Sequence, residues 1–151
     1  MITSNISEVL GTLAMRIEEA IKPENFTRVV ATGIISTVHN RIHIQGKAAD
    51  GSPIGSYENN YLRLRERKYG RLEGKKVVLS LTRQMEDDFS AVVGQDGRWG
   101  LGFKDSLNAD KSQWVQEHFE KNVYDLTAEE KDMVLEIGTE YLQKIITGAT
   151  A

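Results

Sequence analysis

The chain divides at residues 49–57, which read Ala49-Asp50-Gly51-Ser52-Pro53-Ile54-Gly55-Ser56-Tyr57. This stretch is rich in turn-forming residues and shows neither the period of 2 of a strand nor the period of 3.6 of a helix. It separates a helical half of the chain from a half that carries strands. Long irregular loops in compact domains are uncommon and are usually functional or disordered. We therefore predict a protruding functional loop over residues 46–76.

Length and composition set the outer limits of function. The 151 residues predict a single domain over residues 1–151, large enough for a real core. Net charge is −3, so any nucleic-acid contact must come from a local basic patch. The absence of cysteine excludes disulfides, thiolate catalysis and cysteine-ligated zinc. No apolar run is long enough for a membrane span, and the N-terminus lacks the basic region of a signal peptide.

Two helices are predicted before the loop. Residues 5–22 have apolar residues at helical spacing after a possible cap at Ser4 or Asn5. Pro23 ends that helix or opens the next, and residues 24–43 repeat an apolar residue every four positions. Because this second segment contains several β-branched residues, a strand is the rival interpretation. The helical interpretation predicts a helical hairpin joined at the proline.

The second half combines strands and helices. Asp96-Gly97 between two apolar runs predicts a β-hairpin with a type I′ turn, and Thr127 with Glu130 predicts a capping box. The other predicted elements are a short helix over residues 58–68, a strand with Val77, Leu79 and Leu81 on one face, a helical turn over 83–88, a helix over 108–121, an edge strand over 123–126, and a final helix stopped by Gly148 before a frayed tail. The fold class is α+β, with an antiparallel sheet of three to four strands and helices packed on it.

No side-chain pattern indicates catalysis, a metal or a cofactor. His39 and His43 are spaced to share a helix face, but no carboxylate stands at neighbouring helical positions to complete a zinc site. The acidic triplet Glu86-Asp87-Asp88 is interpreted as solvated charge, since paired carboxylates need a pocket that separates their pKa values. We find no nucleophile elbow and no phosphate-binding loop. We therefore predict no enzymatic activity and no cofactor.

A basic run follows the opening stretch. Two acidic residues and three nearby tyrosines accompany it, a composition suited to phosphate contact and stacking. A solvated surface that pairs with an acidic neighbour is the alternative. The seven basic residues are Arg63, Arg65, Arg67, Lys68, Arg71, Lys75 and Lys76.

The loop also carries apolar groups that a simple connector does not need. Exposed apolar side chains are better explained by a partner that covers them. We therefore predict a subunit or partner interface at Asp50, Gly51, Pro53, Ile54, Gly55, Tyr57 and Tyr61. On this prediction, deletion of residues 52–70 leaves a folded monomer that no longer assembles.

The order of these motifs resembles that of tail-completion and virion-morphogenesis proteins of tailed bacteriophages. Those proteins carry an Arg-Ile/Phe-x-x-x-Gly stretch, here Arg41 to Gly46, and then an Asp-Gly-x-Pro loop, here Asp50 to Pro53. A basic stretch, a Leu-Thr-Gly-x-Leu/Met element and a β-hairpin follow. The element is Leu81-Thr82-Arg83-Gln84-Met85 in this chain, with Arg83 where glycine is common. The resemblance covers roughly residues 36–146.

The resemblance implies a structural protein of the virion neck, assembled in the host cytoplasm. Such proteins form homo-oligomeric rings, commonly six-fold or twelve-fold, that join the portal or connector to the tail around the DNA channel. The implied partners are neighbouring virion proteins and, non-specifically, the passing DNA. A small nucleic-acid-binding module that uses residues 63–76 remains the alternative.

Overall fold

The computed structural model describes residues 6–72, 74–80 and 82–148. These residues form an α+β fold with six α-helices and one two-stranded antiparallel sheet. The helices and strands are α1 (Ile6–Ala20), α2 (Pro23–His39), α3 (Asn59–Tyr69), α4 (Gln84–Asp88), β1 (Phe89–Val93), β2 (Trp99–Phe103), α5 (Ser106–Phe119) and α6 (Ala128–Thr147). A π-helical turn over Asn40–Ile44 continues α2. The helical interpretation of residues 24–43 is thus confirmed, with its last turn widened to a π-helix.

The long helix α6 organises the N-terminal helices. Phe26 near the start of α2 lies against Tyr141, Gly33 lies against Ile137, and Arg41 beyond α2 binds Glu130. The residue numbers of the contact partners on α6 therefore decrease along α2, so α2 runs antiparallel to α6.

The helix α1 follows the same path along α6. Its Arg16 lies near Gly148 at the end of α6, and α1 packs more extensively on α6 than on α2. The two helices thus lie one after the other along α6. The predicted helical hairpin is wrong because Pro23, as the first residue of α2, continues the chain direction instead of reversing it.

The core lies between α2, the β-hairpin, α5 and the segments that connect them. The residues of α2 at helical spacing, Ile34 and Val38, are buried, and Ile42 of the π-helical turn continues their stripe. Phe89 of β1 and Val115 of α5 pack on this stripe from the other side. The four-residue apolar period found in the sequence thus marks the face that α2 turns to the core.

The β-hairpin is confirmed, with Phe89 paired to Phe103 and Val93 to Trp99. Its turn differs from the prediction. Gly97 has a positive φ of 78°, but Asp96 does not, and the Gly94 N–H donates to the Arg98 carbonyl. The loop is therefore wider than a two-residue type I′ turn, which requires positive φ at both central residues.

The predicted sheet of three to four strands is not found among the residues described. Val77 and Val78 are both buried, and Leu79 adopts a positive φ of 47°, so side chains do not alternate there. That segment makes only an isolated bridge between Ser56 and Lys76. The edge strand predicted over 123–126 is also wrong, because Asn122 closes a turn with the Asp125 N–H.

The predicted signals at the C-terminal helix are confirmed. The Thr127 hydroxyl accepts from the Glu130 N–H, and the Glu130 carboxylate accepts from the Thr127 N–H, which completes the capping box. Gly148 follows α6 in the left-handed conformation. Three predictions concern residues outside the described ranges: the cap at Ser4 or Asn5, the inward position of Leu81, and the tail beyond Gly148.

Candidate functional site

The opening stretch folds into a tight turn at Asp50. The Asp50 carboxylate accepts from the N–H of Ser52 at 2.9 Å and from its hydroxyl at 2.5 Å, and Gly51 takes a positive φ of 78°. These bonds from Ser52, helped by Lys121, lower the pKa of Asp50 to about 2. Lys121 donates to the Ser52 hydroxyl at 2.8 Å and so ties the turn to the end of α5.

The residues directly after the turn enter the core, which contradicts the predicted protrusion at these positions. Ile54 is only 2% exposed, and its N–H donates to the Gly46 carbonyl at 2.9 Å. Gly55 lies so close to α5 that a Cβ there would sit 2.5 Å from the ring of Phe119. The prediction of Ile54 as an exposed anchor is therefore wrong, and deletion of residues 52–70 would remove part of the core. Pro53 stays exposed beside the turn.

Arg41 holds this loop against the C-terminal part of the chain. Its Nε donates to Glu130 at 2.7 Å, while its Nη atoms donate to the carbonyls of Lys47, Val123 and Asp125 at 2.8–3.0 Å. Arg41 is 6% exposed and Glu130 is 3% exposed. Such a charged pair is tolerated in a core because its hydrogen bonds are satisfied.

Only glycine fits without strain at position 46, five residues after Arg41. It has a positive φ of 64°, and a Cβ at this position would lie 2.2 Å from the Val77 carbonyl oxygen. The Arg-x-x-x-x-Gly spacing noted in the sequence therefore combines a buried anchor with a close backbone approach. Both residues act in the fold of this chain.

An open groove of about 560 Å³ runs beside the opening loop. Its apolar lining comes from Tyr57, from Tyr61 of α3, and from Met85 of α4. Trp114 and Phe119 of α5 contribute the opposite wall. The predicted pair Tyr57 and Tyr61 thus lies together, with ring centroids 5.2 Å apart.

The structure adds α5 to the predicted interface. Trp114 is 59% exposed and stacks on His118, with ring centroids 4.7 Å apart. The sequence analysis predicted a helix over residues 108–121 but placed neither residue in the interface. Their spacing of four residues on one helix face was the available signal, but it does not by itself distinguish a groove wall from the core.

Arg65 forms the polar floor of the groove and is not available to DNA. It is 1% exposed, its Nη2 donates to the Ser80 carbonyl at 2.9 Å, and its guanidinium lies 4.4 Å from the ring centroid of Tyr57. Burial raises the pKa of the Tyr57 hydroxyl, and the nearby Arg65 charge opposes that rise. The predicted phosphate-contacting role of Arg65 is therefore wrong.

A hydrogen-bonded network continues from this floor. Arg71 is half-buried and donates to the Ser80 hydroxyl at 3.2 Å, which donates in turn to Glu86 at 2.6 Å. Glu86 is therefore a network member, and the interpretation of the whole acidic triplet as solvated charge is wrong. Asp88 also accepts bonds, from the Asp105 N–H and the Asn108 amide, and the Asn108 bond lowers the pKa of Asp88 most.

The remaining basic residues of the run lie on the surface. Each of them is exposed, and they surround α3 and the segment that follows it. This surface also includes the acidic Glu66, so its charge is mixed. The exposed members are Arg63, Arg67, Lys68, Lys75 and Lys76.

His43 and His39 share a helix face, as their spacing indicated. Their ring centroids are 4.9 Å apart, and His43 is 2% exposed. Burial, and then the neighbouring His39, lower the pKa of His43 from 6.5 to about 4, although Glu86 and the Leu79 backbone oppose this change. Within the described part of the chain, no three His, Asp or Glu side chains are grouped to hold a metal ion.

The helix α1, predicted from apolar residues at helical spacing, carries a second apolar surface. Leu13, Ile17 and Ala20 are covered or partly covered, whereas Val9 and Leu10 on the same helical face are 57% and 56% exposed.

None of the helices that the structure describes is both long and apolar enough to cross a lipid bilayer. No family model, curated protein or solved structure matches this chain.

Proposed function

We propose that this chain is a non-catalytic structural subunit of the head–tail junction of a tailed bacteriophage. In this role it joins the portal or connector to the tail as a six-fold or twelve-fold ring around the DNA channel. The proposal starts from the order of motifs in the sequence, from Arg41 through the hairpin. It agrees with the use of Arg41 and Gly46 to fix the central loop.

The observation that carries the proposal is the apolar surface that the isolated chain leaves exposed. Val9 and Leu10 of α1 and Trp114 of α5 are each more than half exposed, on two separate surfaces. Contiguous exposed apolar surface indicates contact with another protein. A subunit with two such surfaces can contact two neighbours at once, as every member of a ring must.

A nucleic-acid-binding module is the second candidate, and the five exposed basic residues around α3 favour it. Phosphate contacts require accessible cations, and these side chains meet that requirement. In the leading proposal the same surface pairs with an acidic neighbour or lines part of the DNA path. The two candidates therefore differ in whether the isolated chain binds DNA.

The leading proposal is tested by counting the chain in purified particles. We expect quantitative mass spectrometry of tailed particles from the source of this gene to find six or twelve copies per particle. Disruption of the gene should give DNA-filled heads and free tails that remain separate, while expression of the intact chain should restore joining. Joined, infectious particles that lack the chain would refute the proposal.

A further inference from the structure

The exposed part of α1 projects beyond the helix on which the rest of α1 packs. Arg16 of α1 lies near Gly148, which ends α6. The seven residues of α1 that precede Leu13 are all exposed, so at 1.5 Å per residue the projecting segment is about 10 Å long. Val9 and Leu10 lie on this segment and continue the apolar face that α6 covers further along.

The groove lies at the opposite end of α2 from α1. Its floor reaches the C-terminal end of α2 through Glu86, whose Oε1 is 3.9 Å from the His39 Nε2. The helix α1 instead precedes the N-terminal end of α2, at Pro23. The 17 residues of α2 separate the two ends by about 25 Å. The projecting segment of one chain therefore cannot reach the groove of the same chain.

The two surfaces have complementary chemistry. An apolar helix face in an apolar groove is a common mode of recognition between proteins, and the aromatic side chains of this groove suit it. Exposed Arg83 and Lys111 stand at the groove with one acidic residue, Glu58. The projecting segment of α1 carries one acidic residue, Glu8, and no basic residue, so its net charge is opposite to that of the groove.

We propose that the projecting segment of α1 docks into the Tyr57–Trp114 groove of a second copy of this chain. Each copy then offers a helix at one end and a groove at the other, and the contact is head to tail. Head-to-tail contacts generate closed rings when the rotation between copies closes. This inference rests on the proposed function as a ring subunit and names the contact between neighbouring subunits.

Complementation between two variants of the full chain tests the contact. Leu10→Glu places a charge on the projecting helix, and Trp114→Glu places one in the groove; both residues are exposed, so folding should be kept. We expect light scattering to show wild-type oligomers larger than a dimer and to show each variant alone as a monomer. An equimolar mixture should form a 1:1 dimer and nothing larger, because only one intact contact remains.

Crosslinking gives an independent measurement because the chain has no cysteine of its own. Val9→Cys in one copy and Met85→Cys in another should form a disulfide-linked pair under mild oxidation. Val9→Cys mixed with Leu135→Cys is the control, since Leu135 is 69% exposed on α6 and lies outside the groove. We expect the disulfide-linked pair to form in the first mixture and not in the control mixture.

Several outcomes would overturn the contact. If Trp114→Glu alone keeps the wild-type oligomer, the copies associate without the groove. A mixture of the two Glu variants that stays monomeric, or a wild-type chain that neither associates nor crosslinks, also contradicts it. If the chain is present in particles but the Val9–Met85 crosslink does not form, the proposed function stands and this contact is excluded. If the crosslink forms but the chain is absent from particles, the contact stands and the proposed function is excluded.

Discussion

Arg83 holds its backbone in a conformation that suits glycine better. Its φ of 65° lies in the left-handed region, where a Cβ approaches the following carbonyl. Arg83 is the residue that departs from the Leu-Thr-Gly-x-Leu/Met element noted in the sequence. The turn before α4 is therefore strained by the Cβ of Arg83.

Replacing Arg83 by glycine should stabilise the fold. The left-handed conformation costs roughly 1–2 kcal/mol with a Cβ, and the extra freedom of glycine when unfolded costs roughly 0.5–1 kcal/mol. We expect Arg83→Gly to raise the free energy of unfolding by about 0.5–1 kcal/mol, measured by urea denaturation. The control, Arg67→Gly inside α3, should lower it by about 1 kcal/mol. A loss of stability in both variants would contradict the strain.

His43 makes stability depend on pH because it is buried in the neutral form. The unfolded chain takes up this proton near the ordinary pKa of 6.5, and the folded chain only near about 4. Between these values the unfolded state binds more protons, so stability falls as pH is lowered from 6.5 towards 4. The shift corresponds to a loss of at most about 3 kcal/mol.

Removing this imidazole should flatten that part of the stability profile. We expect urea denaturation of His43→Leu to show a smaller loss of stability between pH 6.5 and 4.5 than the wild type shows. His118→Leu is the matched control, because it removes an imidazole that is exposed on α5. Parallel profiles for the wild type and His43→Leu would show that another group causes the pH dependence.

At the scale of elements, Arg41 and Glu130 join segments that are distant in the sequence. The pair connects the π-helical turn after α2 to the first turn of α6. Arg41 also donates to the carbonyls of Lys47, which follows the π-helical turn, and Asp125, which precedes α6. Glu130 also completes the capping box of α6. One ion pair thus fixes the direction of two helices and the position of the central loop.

Breaking this pair should destabilise the whole fold. Glu130→Gln leaves the Arg41 charge buried without its counter-ion, and loss of one partner of a buried pair typically costs 3–5 kcal/mol. We expect a reduction of about that size in the free energy of unfolding. The surface pair of Glu19 and Lys22 provides the control, because Glu19→Gln should leave the urea midpoint nearly unchanged. Similar midpoints for both variants would refute a structural role for Arg41.

At the scale of the whole molecule, the fold sorts the basic run into two groups. Arg65 and Arg71 turn inward to Ser80, whereas the other five basic residues face outward. The outward group is large enough for about five phosphate contacts, although the whole chain has a net charge of −3. The prediction of DNA contact therefore applies to this one surface.

This surface predicts a salt dependence that measures its use. If the five side chains contact phosphates, DNA affinity should fall by more than about a hundredfold between 50 and 200 mM salt. Replacing Arg63, Arg67 and Lys68 by Gln should weaken DNA binding. It should also make the plot of log affinity against log salt concentration less steep, by the equivalent of about three phosphate contacts. The control replaces three exposed basic residues elsewhere, Arg28, Arg98 and Lys144. If the purified chain does not bind DNA at 50 mM salt, this surface has no role in binding nucleic acid.

The sequence by itself determined the elements whose signals are local. The capping box at Thr127, the stop at Gly148, the start of α2 at Pro23 and the hairpin around Gly97 are all present. Each depends on a few neighbouring residues and on backbone preferences that tertiary contacts did not override. The period of four in residues 24–43 likewise identified the buried face of α2.

Only the tertiary structure decided which residues of the central loop are accessible. Ile54 and Arg65 lie in stretches that look exposed in the sequence, but contacts with distant segments bury them. Trp114 and Leu10 show the reverse, since a helical apolar face does not reveal whether its own chain covers it. Local pattern fixes periodicity, whereas burial depends on how distant elements meet. Ile54 of the opening stretch is therefore part of the core, and the candidate interface lies in the groove beside that stretch and on α1.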